Sequence, residues 1–579
     1  MPSSSPKPEG HRARLLVVLP LALAILAALA LHAPTLHSGL VADDYLQVAM
    51  LDGRYPVARS SWDLYSFSCG AEDVPALMRH GVLPWWSHPE LKLSALRPLS
   101  SLLLALDVAL GLPPWARHLH SLAWLVAFMC VAAALFRRTL TPWAAAVAAL
   151  IVAVTPAHVW PAGWLANRTA LVSATLGLGA VVLQLRRRDD PSHTSAWAVP
   201  VLVTAALAAG EYALSVAGLV FGFELLARDG WRHRARRLLP WAAPALGYFV
   251  LHKALGYGAF GSSVYVDPIA SPLKFVLAIL LRLPALLASE LFLLPSELVH
   301  GALVLSFGLS LGIVVGLCSA FALVAALALR GRAEARRTAL TYFSGLCCSL
   351  LPLVATLPSS RMLVVPSVAG SALVATVCVA LLASPRRHFL LRALAAGAGL
   401  LLAALHLPIA AFHTSRATRQ WSELHTRIAE MAATAELPAS ATSWVLLNAA
   451  EPTAIYLPWM RRREAQPTFA VLSISPEPLT VLRSGDRTLE LVAGEHGMLT
   501  DPASRLFRGL ETPFPEAPVA TGDVVVQVKE LSPFGVKRIR VEFRRPFDDP
   551  ALLVLVLDGG RLRRFTPPAL GGSARIPGL

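Results

Sequence analysis

Two adjacent carboxylates, Asp43 and Asp44, follow directly on the first long apolar run, Leu15 to Ala33. They leave the lipid together, at a membrane surface. Neighbouring like charges raise each other's pKa unless a cation or a hydrogen-bond donor is close by. Such a pair at a helix exit is either the start of a solvated loop or part of a site that uses a carboxylate. Three more charged residues stand at similar edges. Arg168 and Arg361 lie at the ends of apolar runs, where a guanidinium either meets an anion or snorkels to the interface. Glu211 separates two apolar runs, a position where an ionisable group is costly and often functional. His118 and His120 read as interfacial, and Asp189-Asp190, after Arg186-Arg187-Arg188, as a solvated loop.

The elements that must position these residues are set by composition. The chain has 579 residues, 55% hydrophobic and 15% charged, with a mean hydropathy of +0.58. Soluble globular proteins carry about 25% charged residues, and repeated apolar runs of about 20 residues mark a polytopic membrane protein. The net charge of +15 is concentrated in Arg137-Arg138, Arg186 to Arg188, Arg228 to Arg237, Arg330 to Arg337 and Arg386-Arg387, each closing an apolar run. That is the positive-inside pattern, so the excess calls for membrane lipids and no nucleic acid. Residues 33–116 hold eight acids and five bases, a net of −3. Of the six cysteines, all but Cys69 lie in apolar runs, and neither a disulfide framework nor metal-ligand spacing is visible. No cofactor is expected, and a metal requirement stays open. Lys7, Arg12 and Arg14 precede the first apolar run with no cleavage site, which predicts a retained signal anchor and a cytoplasmic tail over residues 1–14.

The predicted fold is mainly α: a transmembrane helical bundle over residues 15–410 with about 11 spans, and a small C-terminal β-rich domain outside. Spans are placed near 15–33, 117–136, 142–159, 165–185, 195–209, 212–227, 238–255, 302–329, 338–357, 362–383 and 389–410. Segment 273–297 carries Arg282, Pro284, Glu290 and Pro295. A single crossing there would put Arg330 to Arg337 outside, so it reads as a re-entrant or interfacial pair of short helices. The outer loop 33–116 holds Trp62, Trp85, Trp86 and Trp115, and ends in an interfacial helix, Leu99 to Gly111. Residues 411–440 form a helical linker. From 441 to 579 the pattern turns to short β runs: Trp444 to Leu447, Thr468 to Ile474, Leu479 to Arg483, Thr488 to Val492, Val524 to Val528, Val536 to Phe543 and Leu552 to Leu557.

In order, the chain shows Asp43-Asp44 after the first span and Leu96-Arg97-Pro98-Leu99 before the stretch ending Leu110-Gly111. Thr155-Pro156-Ala157-His158 and Trp164-Leu165-Ala166-Asn167-Arg168 follow. Glu211 heads a span, and Ser360-Arg361-Met362-Leu363-Val364-Val365-Pro366-Ser367 opens another. Over residues 15–425 this series resembles the GT-C membrane glycosyltransferases, in particular the protein O-mannosyltransferases, the tetratricopeptide-containing O-mannosyltransferases and their bacterial relatives. The resemblance implies a sugar donor carried on a polyprenyl phosphate and a protein, lipid or glycan acceptor. It implies transfer on the extracytoplasmic face of a multi-pass protein of the bacterial inner membrane. It assigns the catalytic acid to Asp43 or Asp44 and the donor phosphate to Arg361 and Arg168, with Arg97 beside them and Glu211 as a further acid of the site. Tryptophans 85, 86, 160 and 164 offer faces for the sugar. Asp44, next to the helical run Tyr45 to Met50, is the better N-cap, and Asp43 the better base.

Departures from that family are specific. Relatives often carry an acid where this chain has Trp160, Lys-Glu where it has Gly210-Glu211, and Glu-Arg where it has Ser360-Arg361; the tetratricopeptide tail is replaced by the β domain. An inactive scaffold of the same fold is therefore one alternative. A lipid or glycan transporter, with Arg282 and Glu290 marking a path, is another; no inverted repeat of interrupted helices supports it.

Overall fold

The computed structural model describes residues 9–189, 196–383, 389–435, 437–460 and 466–578; Lys7, Asp190 and Arg386-Arg387 lie outside them. The chain divides into two compact units. The first comprises Met1–Ser38, Leu112–Leu251 and Pro268–Ser422, and the second Gly39–Gly111, His252–Asp267 and Glu423–Leu579.

The first unit is helical. Among the described residues, seven helical stretches are long and apolar enough to cross a membrane: Leu19–His37, Pro114–Thr139, Leu165–Asp189, Pro272–Phe292, Phe307–Ala328, Ala333–Ala355 and Phe389–Thr434. Pro142–Val154 and Pro156–Gly163 form a further pair bent by 47°. The bend falls where Pro156 withholds a backbone donor. Other expected spans are shorter: Ala198–Ala209, Tyr212–Leu225 and Pro366–Leu382 have 12, 14 and 17 residues. At 1.5 Å per residue the first of these is roughly 18 Å long, less than a hydrocarbon core of about 30 Å. Trp231–Ala254 is a continuous helix with Arg232 to Arg237 in its first turns.

The expected pair of short helices at 273–297 is instead one helix of 21 residues, Pro272–Phe292, running through Pro284. Apolar surroundings hold a helix together despite a missing donor. Arg282 does not break it either, because its Nη1 donates to the Val354 carbonyl at 3.0 Å. Phe389–Thr434 is helical throughout, with a π-helical turn at Leu405–Ile409 that accommodates Pro408.

Several arginines of the basic clusters are held by protein acceptors. Arg138 pairs with Asp189 (2.5 Å) and Arg188 with Asp229 (3.4 Å). Arg237 meets both Glu224 (2.8 Å) and Asp229 (2.6 Å). Arg332 donates to the carbonyls of Ala380 and Ala383, each at 2.7 Å. Close helix contact is made by small residues. A Cβ on Gly218 would stand 2.3 Å from the Cys348 carbonyl oxygen, and one on Gly222 2.5 Å from that of Ser344. These two glycines, one turn apart, let Tyr212–Leu225 lie backbone to backbone on Ala333–Leu350.

The second unit is rich in β structure. Ser66–Cys69, Lys92–Ser94 and Gly258–Phe260 form a three-stranded sheet in that order. A six-stranded antiparallel sheet runs Ser573–Ile576, Leu479–Gly485, Thr488–Val492, Val536–Phe543, Val524–Leu531, Val519–Thr521. In Val536–Phe543, Ile539, Val541 and Phe543 face inward, while Arg540 and Glu542 face out, as expected for a sheet solvated on one face. A four-stranded sheet runs Arg561–Arg564, Leu552–Asp558, Ser443–Leu446, Thr468–Val471, and its last two pairings are parallel. Parallel strands are covered on both faces, and Leu552 to Leu557 are accordingly all buried.

Replacing Gly222 by Val forces the two helix backbones apart. We expect a loss of about 1–3 kcal/mol, the usual scale for overpacking, read as a lowered thermal midpoint of the detergent-solubilised protein. An unchanged midpoint would show that the contact is not needed.

Candidate functional site

In the second unit the acidic pair opens the helix Asp43–Leu51. The N-cap residue is Ala42, so the expected Asp44 cap is corrected by one helical register: Asp43 and Asp44 both lie in the first turn. Ala42 adopts φ +47, a conformation that costs a side-chain-bearing residue roughly 1–3 kcal/mol and collects at functional sites. The carboxylates then part. Asp44 is 1% exposed, and its Oδ2 accepts the Val41 amide at 3.1 Å, closing the turn that precedes the helix. Asp43 is half-buried, and its Oδ1 accepts from the Tyr456 hydroxyl at 3.1 Å. Burial, reinforced by the Asp43 charge, pushes the Tyr456 phenol well above its ordinary pKa. Tyr456 therefore stays a donor and holds one oxygen of Asp43 in place. Nothing in the local sequence signals that partner, 413 residues away.

Arg97 sets its guanidinium over the Tyr65 ring, 4.9 Å from the centroid, at the start of the helix Pro98–Ala109. The proposed sugar platforms Trp85 and Trp86 are not available as faces. They are 1% and 0% exposed, and their Nε1 atoms donate to the carbonyls of Leu472 (2.9 Å) and Ser504 (3.3 Å).

In the first unit Arg168 is 4% exposed, and its donors are directed at protein. Nε reaches Ser121 Oγ (2.9 Å), Nη1 reaches His120 Nδ1 (3.0 Å) and Nη2 reaches the Arg117 carbonyl (2.8 Å). The guanidinium thus pins the short helix Leu165–Arg168 to the helix Pro114–Thr139. Glu211 accepts from the Tyr248 hydroxyl at 3.3 Å. Its neighbour Gly210 explains one departure from the resembled family: a Cβ there would lie 2.4 Å from Thr169 Oγ1, so no Lys fits. Tyr212, next to Glu211, has its hydroxyl 3.9 Å from the sulfur of Met362, next to Arg361.

Arg361 is different. It lies in the turn Ser360–Val364, with its Cζ 5.5 Å from the Trp160 ring and 5.3 Å from that of Trp164. Trp421 completes the group, 4.9 Å from Trp160, and is fixed by donation to the Gly163 carbonyl at 2.9 Å. Trp160 thus offers an aromatic face to the cation instead of a counter-charge. Arg361 Nε and Trp164 Nε1 are buried without a hydrogen-bond partner among the described residues. Leaving one such donor unsatisfied costs about 1–3 kcal/mol, and these two sit on neighbouring side chains. Among the described residues no three His, Cys, Asp or Glu side chains come together as a metal-ligand group.

No family model matches the chain, and no curated protein matches it. The structure is similar to the archaeal oligosaccharyltransferase AglB of Archaeoglobus fulgidus in complex with an inhibitory peptide and a dolichol-phosphate, at 12% identity and a TM-score of 0.43 over 81% of this chain. It is also similar to an Archaeoglobus fulgidus oligosaccharyltransferase tethered to an acceptor peptide, at 12% identity and a TM-score of 0.40 over 79% of this chain. The matches span 66% and 60% of the length of those two chains.

The two aspartates separate by stability. Asp44→Ala removes a buried acceptor from the Val41 amide and should destabilise the protein by about 1–2 kcal/mol. Asp43→Asn, half-buried and still able to accept from Tyr456, should change the thermal midpoint far less. Equal losses would contradict the division of roles.

Proposed function

We propose that this chain is a membrane glycosyltransferase that moves a sugar from a polyprenyl-phosphate donor to an acceptor on the extracytoplasmic face. The observation that carries the reading is the pair of buried, acceptor-less donors of Arg361 and Trp164. A phosphate oxygen supplies what both lack, and Arg binds such groups through its planar fork. Charge that develops on the departing phosphate is met there by a cation with no competing carboxylate among the described residues. In the reaction, the acceptor hydroxyl oxygen bonds to the anomeric carbon of the sugar. The bond from that carbon to the phosphate oxygen breaks, and polyprenyl phosphate leaves with the electron pair. Asp43 takes the hydroxyl proton. Tyr456 orients the Asp43 carboxylate, and Asp44 holds the turn that presents it. Arg168 acts by fixing the segment that carries Trp164 and not by meeting the phosphate. Glu211 and Arg97 stand as polar residues of the donor and acceptor surroundings. The acceptor is a protein, lipid or glycan.

Transfer from a polyprenyl-phosphate sugar, measured with purified variants, tests the assignment. Asp43→Asn should lower turnover by about 100-fold or more, the scale for losing a general base. Arg361→Lys should weaken donor use, and Arg361→Ala should abolish it; donor affinity unchanged in Arg361→Ala would remove that residue from the site. Sidedness is tested separately. The basic clusters of the first unit should face the cytoplasm, so reporters after residue 430 should read extracytoplasmic. A cytoplasmic signal there would overturn the outer-face chemistry.

A further inference from the structure

Within the second unit, a cavity of about 580 Å³ is lined by Pro75, Pro89, Pro515 and Pro518 and by the arginines Arg79, Arg508 and Arg544. Its volume falls in the range of roughly 300–1,000 Å³ that holds a ligand. The charge around it is one-sided. The acid on its lining, Asp523, is already paired with Arg545 at 3.3 Å. Arg508 is buried and directs its guanidinium at the Trp86, Ser87 and Pro513 carbonyls, which hold it without neutralising it. Arg79 and Arg544 are exposed, and neither guanidinium has a carboxylate partner among the described residues. The lining also includes Thr468, Val519 and Ala520. Thr468–Val471 is the terminal strand of the four-stranded sheet, and Val519–Thr521 is the terminal strand of the six-stranded one. Phe469 to Val471 are buried, with Gly522 against the Phe469 backbone, so the open edge at the cavity is that of Val519–Thr521, where Ala520 is exposed.

We propose that this cavity binds an extended, acidic segment of a partner polypeptide. The unpaired edge of Val519–Thr521 offers the backbone groups by which an extended peptide is recognised. The prolines provide apolar walls without donors of their own, and the free arginines select carboxylates. The cavity and its occupant do not depend on sugar transfer.

The experiment uses the full chain in detergent and a fluorescein-labelled peptide of alternating Glu and Val, read by fluorescence anisotropy. Saturable binding is expected, weakened by added salt as exposed charge pairs are. The Lys-for-Glu peptide should not bind. The double variant Arg79→Ala/Arg544→Ala should bind at least about tenfold more weakly, equivalent to 1.4 kcal/mol, while its thermal midpoint matches the parent's. Asp43→Asn should bind the peptide as the parent does, which separates this inference from the transfer reading. Undiminished binding by the double variant overturns the proposal. So does binding of an acidic oligogalacturonate but not of the peptide, or binding of neither.

Discussion

A guanidinium taken out of water must find acceptors, and this requirement organises much of the chain. Arg237, with a side chain 20% exposed, finds Glu224 and Asp229. Arg332 and Arg282 find carbonyls freed at helix ends. Arg168 and Arg508 are each met by three protein acceptors. Transfer of a charge into a low-dielectric interior without such partners is prohibitive. Against that background Arg361 stands apart: it rests on aromatic faces, with its Nε buried and unpaired. Among these arginines it is the one met by ring faces rather than by oxygen.

Small residues serve the same end by geometry. Gly218 and Gly222 bring two helix backbones into contact, and Gly210 leaves room for the Thr169 hydroxyl beside Glu211. At Gly210 packing against Thr169 sets the residue, while at Arg361 the rings of Trp160 and Trp164 stand where a counter-charge could have been.

What the sequence made legible follows range. Seven β runs were readable because alternation or continuous apolarity is local, and each matches a strand within a few residues. Val519–Thr521, Arg561–Arg564 and Ser573–Ile576 carry three or four residues each; they are too short and polar for a period to show. The helix Pro272–Phe292 departs from the expected pair of short helices because that expectation rested on keeping Arg330 to Arg337 inside, while the carbonyl that holds Arg282 within the helix comes from residue 354. The difference between Asp43 and Asp44 was partly visible. The means were not: Tyr456 reaches Asp43 across 413 residues, and Trp421 reaches Gly163 across 258. Trp85 and Trp86 looked like interfacial aromatics, yet both are fastened inside by carbonyls nearly 400 or more residues away.

The four-stranded sheet also bears on how the protein is made. Ser443–Leu446 sits between Thr468–Val471 and Leu552–Asp558 and pairs in parallel with both. One edge strand of the six-stranded sheet is Ser573–Ile576, paired with Leu479–Gly485. Non-local pairings of this kind form late. Asp43, Trp85 and Trp86 are synthesised 413, 387 and 418 residues before their partners Tyr456, Leu472 and Ser504. The loop bearing the acidic pair therefore waits, with Trp85 and Trp86 uncovered, until those partners have left the ribosome. Apolar surface left open in that interval favours aggregation, so a segment that the finished molecule conceals stays open while it is being made.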